Sequence, residues 1–135
     1  MKKLLFIICL ALVPTITFAQ YASPEQKKSS ELKPIITFEK EVIDYGTIKH
    51  NADGVRFFKF TNEGSAPLVI KSVKGSCGCT VPTKPEEPIM PGQTGEIKVK
   101  YATNRIGRFT KTVTVVSNAT EKPKVVKIKG EVLKD

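Results

Sequence analysis

Residues 94–103 read TGEIKVKYAT and alternate strictly at their centre, with Ile97, Val99 and Tyr101 on one side and Glu96, Lys98 and Lys100 on the other. A period of two fits an extended strand with one dry and one wet face. It does not fit a helix, whose faces repeat about every 3.6 residues. Shorter versions recur along the chain. FTKTVTVVSN sets Phe109, Val113 and Val115 on one face, and KVVKIKGEVL does the same with Val126, Ile128 and Val132. VRFFKFTN puts Phe58 and Phe60 together, PLVIKSV alternates Leu68 with Ile70, and ITFEKEVIDYG reads as one strand or two short ones ending at Gly46. The polar stretches HNADG (50–54) and NEGSAP (62–67) are turns between these runs, and residues 75–95, rich in proline and glycine, read mostly as loop. No window of useful length carries a helical apolar period, and β-branched residues dominate the runs. About seven short strands separated by turns predict an all-β fold, an immunoglobulin-like β-sandwich. Tryptophan is absent, so the core tryptophan of antibody domains is missing. The expectation therefore concerns architecture.

The start of the chain has a different character. Met1-Lys2-Lys3 is a short basic head, Leu4 to Val13 is unbroken apolar sequence, and Thr17-Phe18-Ala19 is a small-x-small cleavage pattern. The apolar run is shorter than the ~20 residues a spanning helix needs, so residues 1–19 read as a signal peptide cut after Ala19. Cys9 does not mark a lipoprotein. Phe6-Ile7-Ile8 precede it, whereas a small residue is wanted there, and it is discarded with the leader. Residues 20–34 are polar and aperiodic and read as a flexible lead. Residues 35–135 form the sandwich domain, and the expected location is periplasmic or secreted.

Loss of Lys2 and Lys3 lowers the formal charge from +9 by two, to about +7. The remaining lysines (Lys98, Lys100, Lys111, Lys122, Lys124, Lys127, Lys129) mostly alternate with apolar residues, as on the wet face of strands, where lysine also discourages edge-to-edge aggregation. The three arginines are scattered, whereas nucleic-acid binders cluster arginine and aromatics. No nucleic-acid partner is expected, and no stable membrane insertion once the leader is gone.

FKFTNEGSAPLVIKSVKGSCGCTVP, PGQTGEIKVKYAT and GRFTKTVTVVSN together resemble the bacterial secreted family called domain of unknown function 1573. Its pattern falls on Phe60, Asn62, Gly64, Pro67-Leu68, Ile70, Cys77-Gly78-Cys79-Thr80, Pro91-Gly92 and Ser117-Asn118, with Asp44-Tyr45-Gly46 similar to its opening strand. The resemblance covers nearly all of the mature chain. It implies an immunoglobulin-like module, similar to those of larger eukaryotic cytoskeletal and ciliary proteins, and supplies no activity.

Cys77 and Cys79 are the only thiols of the mature chain, one residue apart. As a staple the pair has little value: closing a three-residue loop stabilises by roughly 1.6 kcal/mol before strain is subtracted. A tight, exposed disulfide would be easily opened, Gly78 would let the backbone bring the sulfurs together, and Lys74 and Lys84 would favour a thiolate. The helix N-terminus and general base of thiol oxidoreductases are missing. Two thiolates alone suit Cu(I) rather than zinc, with His50 and Met90 the only other candidate ligands. The favoured reading is local shape. Gly75, Gly78 and Pro82 make a tight end to the LVIKSV strand, where small thiols pack while Ser76 and Thr80 bond the turn.

Catalytic arrangements of other kinds are not suggested. His50 with Asp44, Asp53 or Asp135 lacks a nucleophile motif, Glu86-Glu87 sits side by side in a loop, and Asn118-Ala119-Thr120, formally a glycosylation acceptor, lies in a turn. The expected function is a non-catalytic, monomeric binding or scaffolding module without cofactor. Its partner would be a protein or surface glycan, met by the loops at one sandwich end, the 75–95 loop included. The alternative is a periplasmic thiol protein using Cys77 and Cys79 for disulfide exchange or Cu(I). Adhesion to anionic surfaces through the lysine face is a third reading, marked by steep salt dependence.

Overall fold

A computed structural model describes residues 31–135. The leader expected at 1–19 and most of the lead at 20–34 lie outside the described residues. Eight strands follow: β1 (Ile36–Phe38), β2 (Val42–Lys49), β3 (Val55–Asn62), β4 (Ile70–Gly75), β5 (Thr80–Thr83), β6 (Thr94–Tyr101), β7 (Gly107–Ser117) and β8 (Lys124–Leu133). They form two four-stranded sheets, ordered β1-β3-β6-β5 and β2-β8-β7-β4. All pairs are antiparallel except β2 with β8. The architecture is an immunoglobulin-like β-sandwich.

The strictest alternation in the sequence gives the strictest burial. Along β6 every second residue is buried, with Ile97 and Val99 fully so. Phe58 and Phe60 of β3 face them from the same sheet, and Val113, Val115, Val126, Ile128 and Val132 close the core from β7 and β8. Burying each such side chain stabilises by about 1.5–3 kcal/mol, which is why these positions set the register.

Three details depart from the alternation. ITFEKEVIDYG is two strands belonging to different sheets, and the second runs on past Gly46 to Lys49. At Gly46 the register shifts. Its φ is +63°, a left-handed value suited to glycine, and its N–H donates to Asp44 Oδ1 at 2.8 Å. Within 75–95, Thr80–Thr83 is the edge strand β5; Pro82 is tolerated because only one side of β5 is paired. The lysines do not form one face. Lys98 and Lys100 lie on the outside of one sheet and Lys127 and Lys129 on the outside of the other, so they point away from each other. Lys111 falls on the inward parity of β7, opposite the buried Ile128, and is only half-exposed.

Candidate functional site

β4 is the edge of one sheet and β5 the edge of the other, so the chain must cross between sheets after Gly75. Ser76 to Cys79 make that crossing. Gly75 lies so close to the next strand that a Cβ there would overlap the Thr80 carbonyl oxygen. Ser76 ties the crossing to β7 twice: its N–H donates to Thr112 O at 2.9 Å, and its Oγ accepts from Thr112 N–H at 3.2 Å. A turn follows, closed by Thr80 N–H to Cys77 O at 3.1 Å. The Cys77 and Cys79 sulfurs are bonded across it, with Cα atoms 5.3 Å apart. Thr80 Oγ1 lies 3.9 Å from the first sulfur and 3.8 Å from the second. Cys79 is buried within the core, whereas Cys77 is half-exposed at its margin. Gly78 is exposed, with an ordinary backbone, and a Cβ there would meet nothing within 4 Å. The glycine requirement of this segment thus sits at Gly75.

Two further loops join the crossing at the same end of the sandwich. Ala102 N–H donates to Cys79 O at 2.8 Å, Tyr101 N–H to Gly54 O at 3.0 Å, and Asn51 N–H to Thr103 O at 3.1 Å. The Thr103 hydroxyl donates to Ala52 O. Tyr45, buried beneath, donates its hydroxyl to Gly54 O at 2.7 Å. Tyr101 stacks on Phe109 with centroids 3.8 Å apart, Tyr45 meets Phe109 edge-on, and the Arg56 guanidinium lies 4.3 Å over the Tyr45 ring. Burial pushes the Tyr45 hydroxyl up to about 12, against a lowering by Arg56. The turns 50–54, 76–79 and 102–106 are therefore one laced platform on an aromatic base. Its rim carries the exposed Gly78, Asn104, Arg105 and Ile106.

The opposite end is organised by asparagine. Asn62 is fully buried. Its Nδ2 donates to Ala66 O at 2.8 Å and to Ile89 O at 2.9 Å, and its Oδ1 accepts from Gly64 N–H at 3.0 Å and Ile35 N–H at 3.3 Å. Asn118 bridges Val69 N–H at 2.8 Å and Pro67 O at 3.0 Å, so the amide of the formal glycosylation acceptor is occupied.

The segment 75–95 therefore does not lie at one end. β5 carries it from the sulfur platform to the asparagine end, where 84–93 closes beside Asn62. Met90 belongs to that far end, paired through Gln93, so the structure does not bring it to the cysteines. His50 contacts Asp135 at 3.1 Å. Glu86 pairs with Lys84 at 3.4 Å, and Glu87 is exposed. Among the described residues no group of three His, Cys, Asp or Glu side chains is placed to hold a metal. Alternation alone did not reveal Asn62, Tyr45, Thr103 or Arg56 as organising residues. The signal for Asn62 was its place between a strand and a glycine turn.

A family model described as protein of unknown function (DUF1573) matches residues 36–132. No curated protein matches the chain. Among solved structures it is similar to a protein of unknown function from Porphyromonas gingivalis W83, at 14% identity and a TM-score of 0.64, over 74% of this chain and 47% of that one. This chain thus spans about half the length of that protein. It is also similar to the ASH / PapD-like domain 7 of human CEP192, at 9% identity and a TM-score of 0.56, over 74% and 86% of the two chains. A third similarity, to the Vibrio cholerae VesB protease, has 10% identity and a TM-score of 0.54, and covers 72% of this chain but 31% of that one. At such identities these likenesses concern the fold.

Proposed function

The chain belongs to the DUF1573 family, and from that premise we propose that it is a non-catalytic binding or scaffolding module. It would act in the periplasm or outside the cell after loss of residues 1–19, meeting a protein or surface glycan through the platform of turns 50–54, 76–79 and 102–106. One observation carries this reading: backbone and side-chain hydrogen bonds lace these turns to one another while the Asn104–Ile106 rim stays uncovered. Loops fixed before binding lose little entropy on association, and rigid sandwiches commonly place recognition there. Ile106, 54% exposed beside Arg105, supplies an apolar contact with an adjacent charge. Immunoglobulin-like folds host many functions, so it is the platform, and not the fold, that favours binding.

The test is the double variant Arg105→Glu, Ile106→Asp expressed in the source cell. Both side chains are exposed, so stability should change by no more than about 0.5 kcal/mol. The partners that co-purify with the native protein should be lost. Retention of all of them by the folded variant would remove the platform as the binding end.

A further inference from the structure

We propose that Cys77 and Cys79 form a thiol–disulfide exchange site with a fixed polarity, Cys77 being the sulfur that is attacked and Cys79 the sulfur that is released. This inference does not rest on the binding role of the platform. It starts from an asymmetry: Cys77 stands half-exposed at the rim while Cys79 is buried at 6% exposure. An incoming thiolate therefore meets Cys77 first, since exchange requires access to the sulfur attacked. The turn is uncrowded at Gly78, where a Cβ would meet nothing within 4 Å.

The backbone flanking the pair is held by bonds that do not use the sulfurs, although Cys79 N–H itself donates to Cys77 Sγ at 3.3 Å. Ser76 is bonded to Thr112, Cys77 O to Thr80 N–H and Cys79 O to Ala102 N–H, at 2.9, 3.1 and 2.8 Å. Opening the S–S bond breaks none of these, so the two thiols stay facing each other and re-closure is intramolecular. The buried Thr80 hydroxyl lies within reach of either sulfur, 3.8 Å from Cys79 and 3.9 Å from Cys77, so it can donate to the released thiolate while the difference in exposure alone sets the polarity. Stabilising the leaving thiolate speeds exchange. A purely structural staple needs neither an exposed sulfur nor a fixed frame that survives its opening, and this loop is too short to stabilise much.

A thiolate RS⁻ attacks Cys77 Sγ, forming RS–S–Cys77 and expelling Cys79 as a thiolate, which takes up a proton. A second RS⁻ attacks the R sulfur, giving RSSR and leaving Cys77 as a thiolate, which is then protonated. Two RSH have been oxidised to RSSR, and the protein disulfide has gained two electrons and two protons. In reverse, the reduced pair reduces an external disulfide. The co-reactant is a thiol, carried by a small molecule or by another protein.

The purified protein is incubated with glutathione, quenched at intervals with an alkylating agent and mapped by mass spectrometry, while circular dichroism follows the fold. Glutathione should be trapped on Cys77 at least about tenfold over Cys79, with the sandwich signal unchanged. The single variants give a second reading: Cys77 in Cys79→Ser should react with oxidised glutathione about tenfold faster or more than Cys79 in Cys77→Ser. Equal labelling of the two sulfurs, or reduction that proceeds only as fast as the protein unfolds in urea, would overturn the assignment. Reduced thioredoxin at equal thiol concentration separates the sources. Faster transfer from it identifies a protein dithiol as co-reactant, faster transfer from glutathione a small thiol, and either supports the site. Failure of the Arg105→Glu, Ile106→Asp test leaves this result untouched, since that pair lies outside the sulfur turn.

Discussion

The two ends of the sandwich are held by different chemistry. At one end Asn62, fully buried, spends its side-chain amide on four backbone partners drawn from residues 35, 64, 66 and 89. At the other, backbone groups of three turns bond one another directly over an aromatic base, and the disulfide adds only a local bridge. A buried amide with all its partners in place is costly to disturb, because each group left unpaired inside the protein keeps its full desolvation cost. A lattice of backbone bonds between turns survives the loss of a side chain at its rim. The asparagine end is built to hold the fold. The sulfur end is held by backbone bonds that do not depend on its exposed side chains.

That contrast can be broken by substitution. The largest effect should come from Asn62→Ala, which strands several buried backbone groups; a loss of roughly 3 kcal/mol or more is expected in urea denaturation. Access to the sulfurs in the folded protein should stay as it was. Gly75→Ala comes next. Its Cβ cannot coexist with the Thr80 carbonyl in the present backbone, so the crossing must shift, at about 2 kcal/mol. The same substitution at Gly78 should cost less than about 0.5 kcal/mol. If the two glycines behave alike, the geometry of the crossing is wrong.

Replacing both cysteines by serine should cost at most about 1–2 kcal/mol, with the fold kept, well below the effect of Asn62→Ala. A greater loss than that of Asn62→Ala would reverse the comparison. Tyr45→Phe should cost about 1 kcal/mol, for a buried hydrogen bond to Gly54 O. It carries a pH signature. Burial raises the Tyr45 hydroxyl to about 12 from its ordinary value of 10, so the folded state holds that proton more tightly. The resulting stability is complete below pH 10 and is lost as the pH rises from about 10 to 12. The phenylalanine variant should lack this part of the alkaline decline, as denaturation at a series of pH values would show.

The strands were legible wherever one face is dry. Phe58, Ile97, Val99, Val113 and Ile128 alternate because burial alternates, and their register follows. Alternation could not separate β1 from β2, because a chain that changes sheet through Glu39 to Glu41 keeps extended residues on both sides of the change. It also passed over β5, four residues long with a proline inside, whose pairing is supplied by β6 and not by its own sequence. The cysteines were legible as a close pair. Their unequal burial was not, since both lie in one short turn and only the crossing between sheets decides which sulfur faces inward. Asn62 stood out only as the asparagine of an aromatic-x-Asn-x-Gly turn. What makes it an anchor is the arrival of residues 35 and 89 from elsewhere in the chain.

The most direct test of the division between the two ends is a paired photo-crosslinking measurement in the source cell. A photo-reactive residue is placed at Ile106 on the sulfur platform in one strain, and at the exposed Glu121 of the asparagine end in another. The account predicts a discrete crosslinked partner from position 106 and none from 121. A partner captured from 121 and not from 106 would contradict it.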